Sequence, residues 1–168
     1  MNEKSKCLGL KRNVTNFAVA HGMHHDFNYS SARDMATISW HVMRTHSFFC
    51  TIIDTKVFEC HSRCSSHSYK WENTNYMLWE SSRCYHGIKT GITLTAGPCL
   101  AVNYRTKCGT FDFIVVVLNC KSRESRFEET PKLVEWACNK INKVKKTNYK
   151  PSLRRKLLKN LAHLWLFY

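Results

Sequence analysis

Cysteine and histidine side chains are candidate metal ligands in this sequence, and four of them lie close together between residues 60 and 67. Cys60, His61, Cys64 and His67 fall within a few positions of one another in this stretch. Structural zinc sites take four Cys or His ligands at characteristic spacings. No C-x-x-C pair is present and no second cluster completes such a site, so we predict neither a metal nor another cofactor.

All nine cysteines together are odd in number and scattered along the chain, which gives no recognisable disulfide framework. We interpret them as small buried hydrophobic side chains, with one or two disulfides as the alternative that stays open. They are Cys7, Cys50, Cys60, Cys64, Cys84, Cys99, Cys108, Cys120 and Cys138.

A different kind of chemistry is indicated by the sequence GIKTG at residues 87–91. Lys89 places a cation in a predicted strand that is otherwise suited to burial, and Thr90 and Gly91 follow it directly. The K-T-G triplet occurs in serine β-lactamases and penicillin-binding proteins, although a triplet alone is a weak signal. The neighbouring motifs therefore decide how it is interpreted.

Several further motifs occur around this triplet, and their order and spacing are informative. Together they resemble the D-alanyl-D-alanine carboxypeptidase family, the low-molecular-mass penicillin-binding serine peptidases, over about residues 1–141. The motifs are His21-Gly22-Met23, the segment SSARDMA at 30–36, WENTN at 71–75, Thr95-Ala96-Gly97 and Arg126-Phe127.

This resemblance implies roles for five residues around one substrate, a peptidoglycan peptide that ends in D-Ala-D-Ala. Lys89, Thr90 and Arg126 would bind the terminal carboxylate, because a carboxylate that leaves water needs a paired charge and hydrogen bonds. Gly91 would let the peptide add to the strand edge. The backbone N–H of Ile92 would contribute to the oxyanion hole. The alternatives are a solvated edge lysine for Lys89 and an ordinary helix-start arginine for Arg126.

The family's nucleophile cannot be identified in this chain. The family acylates the serine of an S-x-x-K motif and uses an S-x-N motif beside it, and no serine here begins either pattern. We therefore expect the C-terminal half of a peptidase domain that is inactive alone. The alternative is a non-catalytic remnant that binds peptide or cell-wall material. His21 is interpreted as a turn residue and Asp34 as a helix cap, and neither as catalytic.

The elements that must position these residues follow from local patterns. A helix over the first eight residues should end at Gly9, and Ser31 and Asp34 form a capping box for a helix running to about Arg44. Residues 60–70 are predicted to be a loop. Pro131 should lie near the start of the last helix, which ends near Ile141, with residues 124–130 as a loose turn or loop.

Three strands are predicted between these helices, and the third is the most apolar, with five apolar residues in sequence at 114–118, as expected for a strand covered on both faces. The order of elements predicts an α+β fold, a partial β-lactamase/transpeptidase-like domain in which an antiparallel sheet of about three strands packs with helices. The predicted strands are Tyr85–Thr93, Cys99–Arg105 and Phe111–Leu118.

Net charge is unevenly distributed along the chain. Of the formal charge of +14, eight basic side chains lie after residue 142 with no acidic one. Residues 152–168 place leucines on one face of a predicted helix and basic residues on the other, an amphipathic pattern that favours contact with an anionic membrane surface. The alternative is that this helix packs on the sheet or covers an interface left by the missing half. No nucleic-acid fold signature accompanies the charge, so we expect no nucleic-acid partner.

The domain organisation expected from these patterns has two parts. Residues 1–142 would form the partial peptidase domain, and residues 143–168 a basic amphipathic helical tail. A chain that starts in the last turns of a helix predicts that the beginning of a domain is missing. The polar N-terminus predicts no signal peptide, and no apolar run is long enough to span a bilayer. The family resemblance implies an extracytoplasmic or membrane-associated location.

Overall fold

A computed structural model describes residues 1–146 and the backbone of residues 163–165. Its helices are α1 (Asn2–Cys7), α2 (Ala32–Thr45), α3 (Ser47–Asp54) and α4 (Ser125–Lys146), with a 3-10 turn at Tyr76–Trp79. Its strands are β1 (Val57–His61), β2 (Ser68–Glu72), β3 (Tyr85–Thr93), β4 (Gly97–Arg105), β5 (Asp112–Val117) and β6 (His163–Trp165).

The main sheet has the strand order β3-β4-β5-β6. Strands β3, β4 and β5 are antiparallel neighbours, and β6 pairs in parallel with β5. Helix α4 packs on one face of this sheet and α2 on the other, so that α+β layering is confirmed. Residues 113–117 of β5 are all buried, because the two helices cover both faces of this strand.

Three of the predicted local features are confirmed near the N-terminus. Helix α1 is followed by Gly9, which has a φ of +78°. The Ser31 hydroxyl accepts a hydrogen bond from the Asp34 N–H at 3.2 Å and caps α2. The Asp34 carboxylate does not complete the capping box, because it accepts the Thr15 hydroxyl at 2.6 Å instead. His21 is a turn residue whose Nδ1 accepts the backbone N–H two residues on.

The prediction of a loop over residues 60–70 is wrong at both of its ends. Strands β1 and β2 form an antiparallel hairpin in which Phe58 pairs with Trp71 and Cys60 with Tyr69. The polar stretch between them is only its turn. Aromatic residues on the flanking segments favour strand pairing, and this preference outweighs the loop-like composition of the centre.

The last helix begins earlier than predicted, and Pro131 lies inside it. Ser122 and Ser125 cap its start reciprocally, since each hydroxyl accepts the other residue's N–H, at 2.8 and 3.0 Å. A proline in a helix interior costs about 3 kcal/mol. Burial of α4 side chains against the sheet, from Arg126 to Ile141 at helical spacing on both sides of the proline, offsets this cost.

Two observations bear on the predicted domain boundary at residue 142 and on the predicted helical tail. Helix α4 continues through the boundary to Lys146. Residues 163–165 form strand β6 beside β5, so the helix prediction is wrong for these three residues, where pairing with an open strand edge prevails. Residues 147–162 and 166–168 lie outside the described part of the chain, and with them most of the predicted tail.

The interpretation of the cysteines as buried side chains is wrong. All nine are free thiols, three of them exposed and six half-buried, and no disulfide is present. Within the described residues, no group of three or more His, Cys, Asp or Glu side chains is arranged to hold a metal ion. None of the described helices combines the length and apolarity needed to cross a membrane.

Candidate functional site

Strand β3 carries the K-T-G triplet at the edge of the main sheet. Lys89 pairs with Ala101, which packs against α2, and Thr90 pairs with Leu100, which belongs to the core under α4. Because cross-strand partners point to the same face and consecutive residues to opposite faces, Lys89 lies on the α2 face and Thr90 on the α4 face.

A cavity of about 600 Å³ lies between the end of β3 and the start of α4. Thr90, Gly91 and Ile92 line its strand side, and Arg126 and Phe127 line its helix side. Four of the five residues that the sequence analysis assigned to the site therefore meet at one cavity. Its remaining lining residues are Thr74, Tyr76, Arg123, Glu124 and Glu128.

Lys89 is the assigned residue that does not line this cavity. Its side chain is exposed, and its ammonium donates a hydrogen bond to the backbone carbonyl of Thr90. The alternation of faces along the strand explains this placement, because Thr90 faces α4 and its neighbour cannot. The lysine is thus at the sheet edge beside the cavity, on the face of the sheet covered by α2.

Arg126 is almost fully buried, with 6% of its surface exposed. Its Nη1 donates to the carbonyl oxygens of Cys99 at 3.2 Å and Gly91 at 3.4 Å, one on each of the paired strands β4 and β3. Its guanidinium lies 4.7 Å from the ring centre of Phe127. The Nε atom is buried and has no hydrogen-bond partner among the described residues.

Thr74 and Tyr76 are site residues that the sequence analysis did not assign. The Thr74 and Thr90 hydroxyls are 2.5 Å apart, and the Tyr76 ring meets Phe127 edge-on with 5.4 Å between ring centres. Both residues lie within or beside the WENTN motif, which was the available signal. Arg123, Glu124 and Glu128 were missed as well, because they approach β3 only through the packing of α4.

The first half of β3 is held in place by α3. Asp54 accepts the Gly87 N–H at 3.0 Å with one carboxylate oxygen and contacts His86 Nδ1 at 2.7 Å with the other. Gly87 packs so closely on α3 that a Cβ there would lie 2.1 Å from the carbonyl oxygen of Ile53. A glycine is therefore required at this position, and the strand segment before Lys89 is fixed against the helix.

The titratable groups with clearly shifted pKa values lie outside the cavity. Burial is the main cause that raises the pKa of Tyr85 to about 12, and burial also raises that of Tyr104 beside it. Hydrogen bonds from the hydroxyls of Thr110 and Thr106 lower the pKa of Cys108 to about 7.

An antiparallel sheet between helices, with a cavity at the edge strand that carries K-T-G, defines this chain as part of a penicillin-binding protein fold of the β-lactamase/transpeptidase type. Similar solved structures include penicillin binding protein 5 from Haemophilus influenzae, with a TM-score of 0.70 and 32% identity over 82% of this chain and 38% of that one. The Streptomyces K15 DD-transpeptidase has a TM-score of 0.69 and 28% identity, over 80% of this chain and 51% of that one.

Sequence comparison gives the family. The model of the D-alanyl-D-alanine carboxypeptidase family matches residues 1–122. The chain is 34% identical over 136 residues to D-alanyl-D-alanine carboxypeptidase DacA of Haemophilus influenzae and to DacA of Escherichia coli, which covers 81% of this chain in each case. The chain belongs to the D-alanyl-D-alanine carboxypeptidase family. It spans 32% and 31% of the length of these two relatives.

Proposed function

We propose that this chain supplies the carboxylate-binding part of a serine-type D-Ala-D-Ala carboxypeptidase site. Its ligand would be a peptidoglycan stem peptide that lies along the edge of β3 and ends in D-Ala-D-Ala. The terminal carboxylate would enter the cavity between β3 and α4, where the Thr90 hydroxyl and the Arg126 guanidinium are among the donors of the lining. The backbone of Gly91 and Ile92 would border the scissile bond.

The observation that carries this proposal is the environment of Arg126. A guanidinium that is 94% buried, with one N–H unpartnered among the described residues, retains a positive charge that the two backbone carbonyls do not neutralise. A carboxylate bound in the cavity would compensate this charge. Lys89 would add a second positive charge from the sheet edge, because it lies one residue before Thr90.

Catalysis would need a nucleophile that these 168 residues do not contain as an S-x-x-K motif. In the family's chemistry a serine oxygen attacks the carbonyl carbon of the D-Ala-D-Ala bond, and the terminal D-Ala leaves with the serine's proton. Water then hydrolyses the acyl-enzyme. A polypeptide that carries both missing motifs would have to complete the site. The second candidate function, binding without turnover, is favoured by the absence of both motifs.

Two measurements test this proposal. Isothermal titration of N-acetylated D-Ala-D-Ala peptides into the full chain should show binding that weakens at least about tenfold in the Arg126→Lys variant. The same peptide ending in a carboxamide should bind as weakly to the wild type as the acid does to that variant. Arg63→Lys, at an exposed arginine outside the cavity lining, is the matched control. Equal binding of acid and carboxamide would refute the carboxylate site.

Fluorescent penicillin separates the two candidate functions. The chain alone should form no covalent adduct under either. When a polypeptide with the S-x-x-K and S-x-N motifs of a relative is added, an adduct should appear on that polypeptide only if this chain completes an enzyme. Absence of the adduct, together with retained peptide binding, would establish a binding protein.

We also propose that the basic segment after residue 146 contacts anionic lipid, as its amphipathic pattern of leucine and basic residues indicates. The expected result is co-sedimentation with vesicles of phosphatidylglycerol and phosphatidylcholine that weakens as salt rises. Unchanged co-sedimentation after deletion of residues 150–168 would refute lipid contact through this segment.

A further inference from the structure

The hairpin β1–β2 has one apolar face that no described residue covers. Register places Phe58 opposite Trp71 and Cys60 opposite Tyr69, so these four side chains lie on one face of the hairpin. The Tyr69 and Trp71 rings are nearly parallel with 5.6 Å between centres, and Phe58 stacks on Trp71 at 6.0 Å. These stacked rings therefore form one continuous surface.

Helix α3 extends this surface. Phe48 and Ile52, four residues apart on one side of the helix, line a groove of about 430 Å³ together with Phe58 and Trp71. The exposed fractions of Phe48, Ile52, Phe58, Tyr69 and Trp71 lie between 48% and 75%. We call these five residues the aromatic face. A contiguous apolar surface of this kind often marks an interaction site.

Polar groups beside this face are already engaged within the chain. The Asn73 amide donates to the carbonyls of Ile53 and Thr55, both at 3.1 Å. On the opposite side of the hairpin, Lys70 contacts the carboxylates of Glu59 and Glu72 at 3.7 and 3.4 Å. Few free donors or acceptors are left to recognise a polar ligand, so the occupant should be an apolar surface.

The size of the aromatic face fits a second copy of this chain. Aromatic side chains bury about 150–250 Å² each, so the half-exposed members of this face offer roughly 500 Å² per copy. Two copies would bury about 1,000 Å² in total, which reaches the lower range of specific interfaces. A two-stranded hairpin is only marginally stable in water, and this one makes only marginal contact with the other described helices and strands. A covering layer would stabilise it.

We propose that two copies of this chain associate around a two-fold axis through their aromatic faces. The interface would pair Phe58, Tyr69 and Trp71 of the hairpin with the same residues of the other copy, and Phe48 and Ile52 would close its edge. Glu59 and Lys70 lie on the other face of the hairpin, and Glu72 borders the groove at the edge of the interface.

Sedimentation equilibrium of the full chain tests this association. The wild type should dimerise with a dissociation constant in the micromolar range, as expected for a small interface. Trp71→Ser should raise this constant at least about tenfold, because the two-fold axis removes the ring from both copies. Trp136→Ser is the matched control, since Trp136 is the exposed tryptophan of α4 and lies outside the aromatic face.

Phe48→Ser keeps the test decisive if Trp71→Ser does not fold, because Phe48 is 75% exposed on α3 and supports no core. Circular dichroism checks the folding of each variant. A wild type that stays monomeric, an unchanged dimer in both aromatic-face variants, or equal weakening by Trp136→Ser would overturn the proposal. Larger open-ended assemblies with the same sensitivity would refute the two-fold symmetry.

Discussion

The guanidinium of Arg126 donates a hydrogen bond to the backbone carbonyl of Gly91, which is 35 residues earlier in the chain. The same nitrogen donates to Cys99 and so connects the first turn of α4 with both strands of the β3–β4 pair. Arg126, which would bind the substrate carboxylate, therefore also connects α4 to the two strands. Both roles depend on its buried positive charge.

Replacing Arg126 by leucine should lower the free energy of unfolding by about 1–3 kcal/mol, because the carbonyls of Gly91 and Cys99 lose their shared charged donor. Urea denaturation measures the change. Arg123→Leu, whose side chain is exposed on the rim, should change the free energy of unfolding by less than about 0.5 kcal/mol. Equal effects of the two substitutions would show that Arg126 does not support the strand pair.

Two glycines of β3 should respond oppositely to alanine. In Gly87→Ala the new Cβ would meet the Ile53 carbonyl oxygen, so we expect a loss of about 1–3 kcal/mol of stability. In Gly91→Ala no atom lies within 4 Å of the new Cβ, and stability should be unchanged or rise by about 0.5 kcal/mol.

Peptide binding should be weakened in Gly91→Ala, the variant that stays stable, and retained in Gly87→Ala, the destabilised one. Gly91→Ala places a methyl group where a substrate strand would approach, so it should weaken D-Ala-D-Ala peptide binding in titration calorimetry. Folded Gly87→Ala should retain binding. Unweakened binding by Gly91→Ala would contradict the approach of the peptide along this edge.

Cys108 should be the most readily alkylated thiol near neutral pH. Hydrogen bonds from Thr110 and Thr106 lower its pKa to about 7, and its side chain is exposed. The rate of carboxamidomethylation, followed by peptide mass spectrometry, should rise through about pH 7 at this residue. Cys120 and Cys138 should react more slowly, because burial raises the pKa of both thiols. Loss of the fast phase in Cys108→Ser is the control.

Stability should fall in alkaline solution because of Tyr85. Burial raises its pKa in the folded chain to about 12, above the ordinary value of 10.0, so folding favours the protonated phenol. Its contribution is fully present below about pH 10 and is lost as the pH rises towards about 12, because the unfolded chain ionises first. Urea midpoints measured across this range should decline less in Tyr85→Phe than in the wild type. An identical decline would contradict the shift, and Tyr76→Phe serves as the exposed control.

Much of the fold was predictable from short-range patterns. Three strands lie within a few residues of their predicted positions, and Ser31 caps α2 as the sequence indicated. These features depend on alternation, capping and turn residues that act over a few positions. Pro131 was misjudged because a local rule was applied where burial against the sheet determines the result.

The candidate site was only partly predictable. Thr90, Gly91, Ile92 and Arg126 meet at one cavity as expected, whereas Lys89 lies outside its lining. Lys89 and Thr90 point to opposite faces of the sheet because they are neighbours on one strand. The triplet alone does not show which of these faces borders the cavity, since that depends on which helix covers each face. The other residues that line the cavity were not predicted either, because elements far apart in the chain bring them to β3.

Sequence by itself determined the family and the antiparallel strands, because motifs and periodicity are local properties of the chain. Tertiary structure decided that Arg126 is buried across two strands, that Thr74 contacts Thr90, and that the aromatic residues of the hairpin share an uncovered face. These relationships join residues up to 35 positions apart, and only the packing of strands and helices brings them together.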